Sequence, residues 1–221
     1  AARSAIGRVG LSTSASRETS GNSPEHEGLE SEVTAFITRE HQGRAGVLLP
    51  DGYTANLAAA QALAVTHRHA VMDGPAAVLT DGVFTADGSV APLRDLLSAL
   101  RDDDALVVDD CHGFCVLGDA GRGSVDEAGI EDDRIIITTT LAKGLGCGGG
   151  VVIGPRAFAD RVRSGSTAYI CTTPVSPVVA AAGREALRVL RSEPERVGRV
   201  RTNAALLRSA CGSMRWRPVS S

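Results

Sequence analysis

Five short apolar runs, set apart by stretches of helical character, constrain this chain more than any other feature. "AGVLL" (Ala45 to Leu49), "AAVLT" ending at Thr80, "ALVVD" ending at Asp109, "RIIIT" and "VVIG" all read as buried strands. "YTANLAAAQALAV" reads as a helix that begins just after Gly52, and "APLRDLLSALRDD" as an amphipathic one. Further helices are expected from about Arg156, Pro177 and Pro194. Near-continuous apolar strands separated by helices predict an α/β fold, a mostly parallel sheet flanked by helices on both faces. In such sheets ligands sit beyond the carboxyl ends of the strands.

The chain's bulk properties remove several function classes. At 221 residues it is long enough to bury a real core, in one or two domains. Its 23 basic and 26 acidic residues nearly cancel, so no basic patch argues for nucleic acid and no polybasic stretch for a membrane surface. No apolar run approaches the roughly 20 residues that span a bilayer, and "AARSAIGRVG" lacks the apolar region of a signal peptide. The five cysteines, Cys111, Cys115, Cys147, Cys171 and Cys211, have no paired spacing, which suits free thiols and a cytoplasmic location.

The strand ends carry an unusual set of groups. Gly52 and Tyr53 follow the first strand, while Asp81 and Thr85 follow "AAVLT". Asp109, Asp110 and His112 close "ALVVD"; Thr140 and Lys143 close "RIIIT", within "TTTLAKGLGCGGG". A carboxylate, an imidazole, hydroxyls, one lysine and bare glycine backbone converge there, which is what pyridoxal 5'-phosphate (PLP) requires. Its aldehyde needs an amine, its ring nitrogen an anion, its phenolate a donor, and its phosphate hydroxyls and backbone N–H groups. Gly144, Gly146 and Gly149 satisfy the dinucleotide fingerprint, but a strand rather than a helix follows them. A Walker loop fails because the lysine precedes the glycines. A plain surface lysine is the remaining alternative. Cys111 and His112 are neighbours and point apart, which is poor spacing for a metal, so none is expected.

The motifs "SGNSPEHEGLE", "DGYTANLAA", "HAVMDG", "TDGVFTADGSVAPL", "VVDDCHGFCVLGDAGRG", "TTTLAKGLGCGGG" and "YICTTPVSP" run in one order along the chain. Together they resemble the α-oxoamine synthases, PLP enzymes of fold type I that include synthases of 8-amino-7-oxononanoate, 5-aminolevulinate, 2-amino-3-ketobutyrate and 3-ketosphinganine. The resemblance implies that Lys143 binds the cofactor aldehyde and later moves protons at the substrate Cα. It puts Asp109 at the pyridine nitrogen, His112 at the phenolic oxygen and His69 over the ring, with a plain helix-face histidine as the alternative for His69. Cys111 would fill the place of a family alanine against the other ring face. Thr85 would hold the phenolate region, and Asp81 would lie near the bound amino acid. Gly52, Tyr53 and Thr140 would hold the phosphate, and Thr172 would reach the phosphate of a partner subunit or else cap the helix after Pro174. The implied reaction joins an amino acid to an acyl thioester (acyl-CoA or acyl carrier protein), usually with decarboxylation, in a homodimer with active sites at the subunit interface.

The chain also departs from the family pattern. "STSASR" and "HGFC" replace glycine-rich and "HGTG" stretches near the substrate entrance. The chain is short between Leu63 and His69, between Gly74 and Ala76, and past about Cys211, where the family has further strand, helix and a C-terminal α+β domain. Pro75 alone cannot supply a crossover to a parallel strand, so chain breaks are expected at the first two junctions. The expected division is an N-terminal segment and substrate-entry loop (1–30), a PLP-binding large domain (31–190) and the start of a C-terminal region (191–221). Two other readings remain: an incomplete or non-catalytic binding or dimerisation module on the same fold, or a PLP enzyme turned decarboxylase or aminotransferase.

Overall fold

The computed structural model describes residues 1–65 and 75–211. Its strands are β1 (Arg44–Leu49), β2 (Ala77–Asp81), β3 (Ala105–Asp109), β4 (Ile135–Thr140) and β5 (Gly150–Pro155). The helices are α1 (Ala2–Val9), α2 (Pro24–Ile37), α3 (Gly52–Ala64), α4 (Leu93–Ser98), α5 (Ser124–Glu127), α6 (Arg156–Gly165), α7 (Thr167–Ile170), α8 (Pro177–Ser192) and α9 (Glu195–Cys211).

The strands form one sheet in the order β1-β5-β4-β3-β2. β2, β3 and β4 pair in parallel, whereas β5 runs antiparallel to both of its neighbours, β1 and β4. Four strands therefore point the same way and one opposes them. Alternate residues feed two cores, as the period of two requires. Leu48, Leu106, Val108, Ile135, Ile137, Val151 and Ile153 face α2 and α8, packing on Leu29, Val33, Ala180 and Leu187. Val47, Leu49, Val107, Ile136 and Val152 face α3 and α6, packing on Ala55, Ala58, Ala59, Ala62 and Phe158. The alanine face of α3 has no side chains long enough to hold it away from the sheet.

β2 lies at the opposite edge from β1, and α3 is among the residues between them. Both junctions expected to break involve residues 66–74, outside the described residues, as does His69. The helix expected over "APLRDLLSALRDD" is shorter, ending at Ser98. There Asp104 accepts N–H bonds from Arg101 (2.8 Å) and Ala76 (2.7 Å), turning the chain into β3 and tying it to the start of β2. Residue 30 falls in the middle of α2, whose start is set by Ser23 as N-cap, Pro24 at the first position and Glu25 and Glu27 in the first turn.

Buried polar groups join the N-terminal stretch to the sheet. Glu30 accepts from Arg17 (2.6 Å), from Arg163 (2.8 Å) and from the Leu48 backbone N–H (2.7 Å). His26 is fully buried, with Nδ1 2.9 Å from Ser23 Oγ and Nε2 2.7 Å from Val175 O. Burial pushes its pKa below the ordinary imidazole value.

Candidate active site

Register brings the carboxyl ends of four strands to one edge. Asp81 pairs with Asp109, Asp109 with Thr138, and Thr140 with Gly150, which also pairs with Leu49 at the end of β1. Gly52, Asp81, Asp109 and Thr140 thus meet at one end of the sheet, as the strand-end argument requires.

One helix cap and two close approaches shape this edge. Asp51 caps α3 by accepting the Thr54 N–H at 2.7 Å, so Gly52 and Tyr53 occupy the first two helical positions. Their N–H groups have no partner within the helix, and they lie at its start, beside Thr140 and Cys111. A Cβ on Gly52 would lie 2.9 Å from Thr140 Cβ and 3.4 Å from Cys111 Sγ. Only glycine lets α3 begin so near β4. Likewise, a Cβ on Gly144 would lie 2.5 Å from Cys115 Cβ and 2.7 Å from Phe114 O. The loop between β4 and β5 therefore rests directly on the turn after β3.

That contact sets the central geometry. Lys143 Nζ lies 2.7 Å from His112 Nε2, and both side chains are exposed. Lys143 sits in a tight turn in which its carbonyl accepts the Gly146 N–H (3.1 Å), while Leu141 accepts from Cys147 (2.9 Å). The glycines that match a dinucleotide fingerprint join two antiparallel strands, with no helix between them. A dinucleotide loop is excluded on that ground.

Asp109 is half-buried, with Oδ1 accepting the Cys111 N–H at 3.0 Å and Oδ2 accepting the Asn56 amide at 2.7 Å. Asn56 was not among the residues expected at the site; an uncharged amide on a helix face gives no signal beyond its place four residues after Gly52. Asn56, Thr80, Asp81, Phe84 and Asp109 line a cleft of about 490 Å³. Lys143 and His112 lie outside it.

The neighbouring carboxylate differs. Asp110 is 2% exposed, and its Oδ2 accepts the Ser124 N–H at 2.9 Å. Burial raises its pKa to about 6. Cys111 is buried too, and burial together with Asp109 pushes its thiol up to about 12. Thr140 Oγ1 accepts the Ala142 N–H (3.2 Å) and donates to Gly149 O (3.3 Å).

The remaining expected residues lie at the margins. Thr85 is exposed in the turn between Val83 and Val90. Tyr53 is 78% exposed, so its backbone rather than its ring faces the edge. Thr172 does not cap the following helix, because Ser176 does, accepting the Val178 N–H at 3.3 Å. Thr172 Oγ1 instead donates to Ala168 O at 2.6 Å. Among the described residues, no group of three or more His, Cys, Asp or Glu side chains is arranged to hold a metal ion. Among them, too, no helix is long and apolar enough to cross a membrane.

Residues 66–221 match the family described as aminotransferase class I and II. The chain belongs to the aminotransferase class I and II family. It is 36% identical to the 8-amino-7-oxononanoate synthase of Mycobacterium sp. (strain JLS), matched over 94% of this chain and 64% of that protein. The chain thus spans under two thirds of that relative. The match runs over 247 positions, more than the chain contains, so the relative holds stretches inside the matched span that this chain lacks.

Solved structures show the same fold. A serine palmitoyltransferase from S. paucimobilis with a bound PLP–myriocin aldimine superposes with a TM-score of 0.86 at 23% identity, covering 98% of this chain and 63% of that one. The 8-amino-7-oxononanoate synthase of Francisella tularensis gives a TM-score of 0.80 at 22% identity, covering 99% of this chain and 72% of that one.

Proposed function

We propose that this chain is the cofactor-binding part of a PLP-dependent α-oxoamine synthase, an acyltransferase that joins an amino acid to an acyl thioester. The observation that carries the reading is the contact between Lys143 Nζ and His112 Nε2 at the strand edge that also holds the Asp109 carboxylate. The kinship with 8-amino-7-oxononanoate synthases supports the reaction class.

The residues fit PLP by their chemistry. Lys143 is an accessible amine for the aldehyde. Asp109 offers an oriented anion for the ring nitrogen, and His112 a donor for the phenolic oxygen. The free N–H groups of Gly52 and Tyr53, with Thr140 beside them, suit the phosphate. PLP supplies an electron sink for a bond broken at the amino acid Cα. Asp109 holds a proton at the ring nitrogen through a charge-assisted hydrogen bond of about 1.5–3 kcal/mol. Lys143 would carry protons to and from the amino acid Cα. Cys111, small and with its thiol neutral, packs beside Gly52 without competing as a nucleophile.

The resemblance would put Asp81 near the bound amino acid, Thr85 at the phenolate region and His69, outside the described residues, over the ring. Lys143, His112 and Tyr53 are exposed in the single chain, which supports a homodimer whose second copy, through Thr172, completes each site. The five free cysteines support a cytoplasmic location. The three-part division at residues 30 and 190 stands only as an order along the chain, since both cuts fall inside helices, α2 and α8.

The test is amino-acid-dependent release of free CoA, followed by chromatography, from the PLP-loaded protein and a panel of amino acids and acyl-CoA thioesters. Release is the expected result. Bound PLP without release would assign a different PLP reaction, and absence of PLP binding would overturn the reading altogether.

A further inference from the structure

Asp109 must present one oxygen to a ring nitrogen, and an aspartate at a strand end has little of its own to hold it. Beyond β3 the chain turns at once, and the carboxylate faces a cleft of about 490 Å³. Two contacts fix it. The Cys111 N–H takes Oδ1 at 3.0 Å, and the Asn56 amide takes Oδ2 at 2.7 Å. Because an ionised carboxylate only accepts, the amide must turn its nitrogen toward it, which settles the orientation of Asn56.

The placement of Asn56 adds to this. It lies four residues after Gly52 and three after Tyr53, so all three share one side of the first turns of α3. A single rigid element thus offers N–H groups at its end and aims a carboxylate one turn further in. α3 is itself pinned at that end by the Asp51 cap and by the close approach of Gly52 to Thr140. Each oxygen of Asp109 has a second acceptor direction. With Asn56 on one lone pair of Oδ2, the direction of the other is fixed.

We infer that Asn56 is a positioning residue, which acts through Asp109 and sets the spacing between the carboxylate and the N–H groups at the start of α3. The inference rests on the reading of this edge as a PLP site. It predicts that Asn56→Ala and the near-isosteric Asn56→Leu, both of which remove the donor without adding a charge, bind PLP about tenfold more weakly, the effect of one lost hydrogen bond to a charged group.

The test is a titration with PLP alone, read by fluorescence, together with the absorption spectrum of bound PLP across neutral pH and a thermal melt of each variant. Both variants are expected to shift the pH midpoint of the spectrum while melting close to the parent. Asn56→Ala placed in an Asp109→Asn background is expected to add nothing, since the carboxylate through which it acts is gone. Should Asn56→Ala fail to fold, Asn56→Leu carries the comparison. If the parent binds PLP and the Asn56 variants match it in affinity and pH midpoint, or if the Asn56 and Asp109 effects simply add, the inference is wrong while the site assignment stands. A parent that binds no PLP sinks both.

Discussion

Replacing Asp110 by asparagine isolates the cost of a buried carboxylate beside the site. Asp110 is 2% exposed, and its Oδ1 has no hydrogen-bond partner. Gly82, Gly113 and Gly123 crowd its carboxylate so closely that none could carry a side chain. Desolvation raises its pKa from 3.8 to about 6. At about 1.4 kcal/mol per pKa unit, that shift corresponds to on the order of 3 kcal/mol.

The sign follows from proton counting. Between pH 3.8 and about 6 the unfolded chain has released this proton while the folded chain keeps it. Stability from Asp110 is therefore full below pH 3.8 and is lost as pH rises through about 6. The amide introduced by Asp110→Asn keeps an acceptor for the Ser124 N–H and cannot ionise. Urea unfolding of parent and Asp110→Asn across this pH range, taken as a difference, removes the contributions of all other groups. The variant should gain on the parent by up to about 3 kcal/mol as pH rises through that window. A flat difference, or one that falls with pH, would show that the carboxylate is solvated or paired and refute the reasoning.

Further outcomes follow from the same geometry. Asp109→Asn should cut amino-acid-dependent turnover by about 10- to 100-fold, the worth of a charge-assisted hydrogen bond, with Asp110→Asn much milder; the reverse ranking in a steady-state assay would exchange their roles. Glu30→Ala strands the buried Arg17 and should destabilise by about 3–5 kcal/mol in urea unfolding, whereas Arg17→Met with Glu30→Leu should recover much of the loss; a single-variant loss below about 1 kcal/mol would make the network a surface contact. Alkylation of the native protein at neutral pH should label the exposed Cys171 and Cys211 and spare Cys111 and Cys115, whose thiols burial holds at about 12; peptide mapping that finds Cys111 labelled first would contradict its burial.

Much of the fold was legible because parallel strands covered on both faces must be apolar throughout. "ALVVD" and "RIIIT" can satisfy that only as buried strands, and their ends fixed where Asp109 and Thr140 lie. The antiparallel insertion of β5 between β1 and β4 was not legible, since pairing order depends on contacts far apart in sequence. α2 was readable and overlooked. Leu29, Val33, Phe36 and Ile37 keep a helical spacing, and Ser23-Pro24 announces the start. At the strand edge, charged and reactive groups stood out, so Lys143, Asp109 and His112 could be named as candidates from the sequence. Asn56 could not, because an amide shows its purpose only when the carboxylate it faces is in place. Thr172 illustrates the opposite case: a hydroxyl near a proline suggested a cap, but a backbone carbonyl within reach took it first.

The central claim is that Lys143 holds the cofactor, and one measurement reaches it directly. The protein is incubated with PLP, reduced with borohydride, digested and mapped by mass spectrometry. The account predicts a single phosphopyridoxyl group on Lys143, absent from Lys143→Ala, because this amine alone stands 2.7 Å from His112 at the strand edge. Lys143 is the chain's only lysine, so label on the N-terminal amine with Lys143 unmodified would contradict it.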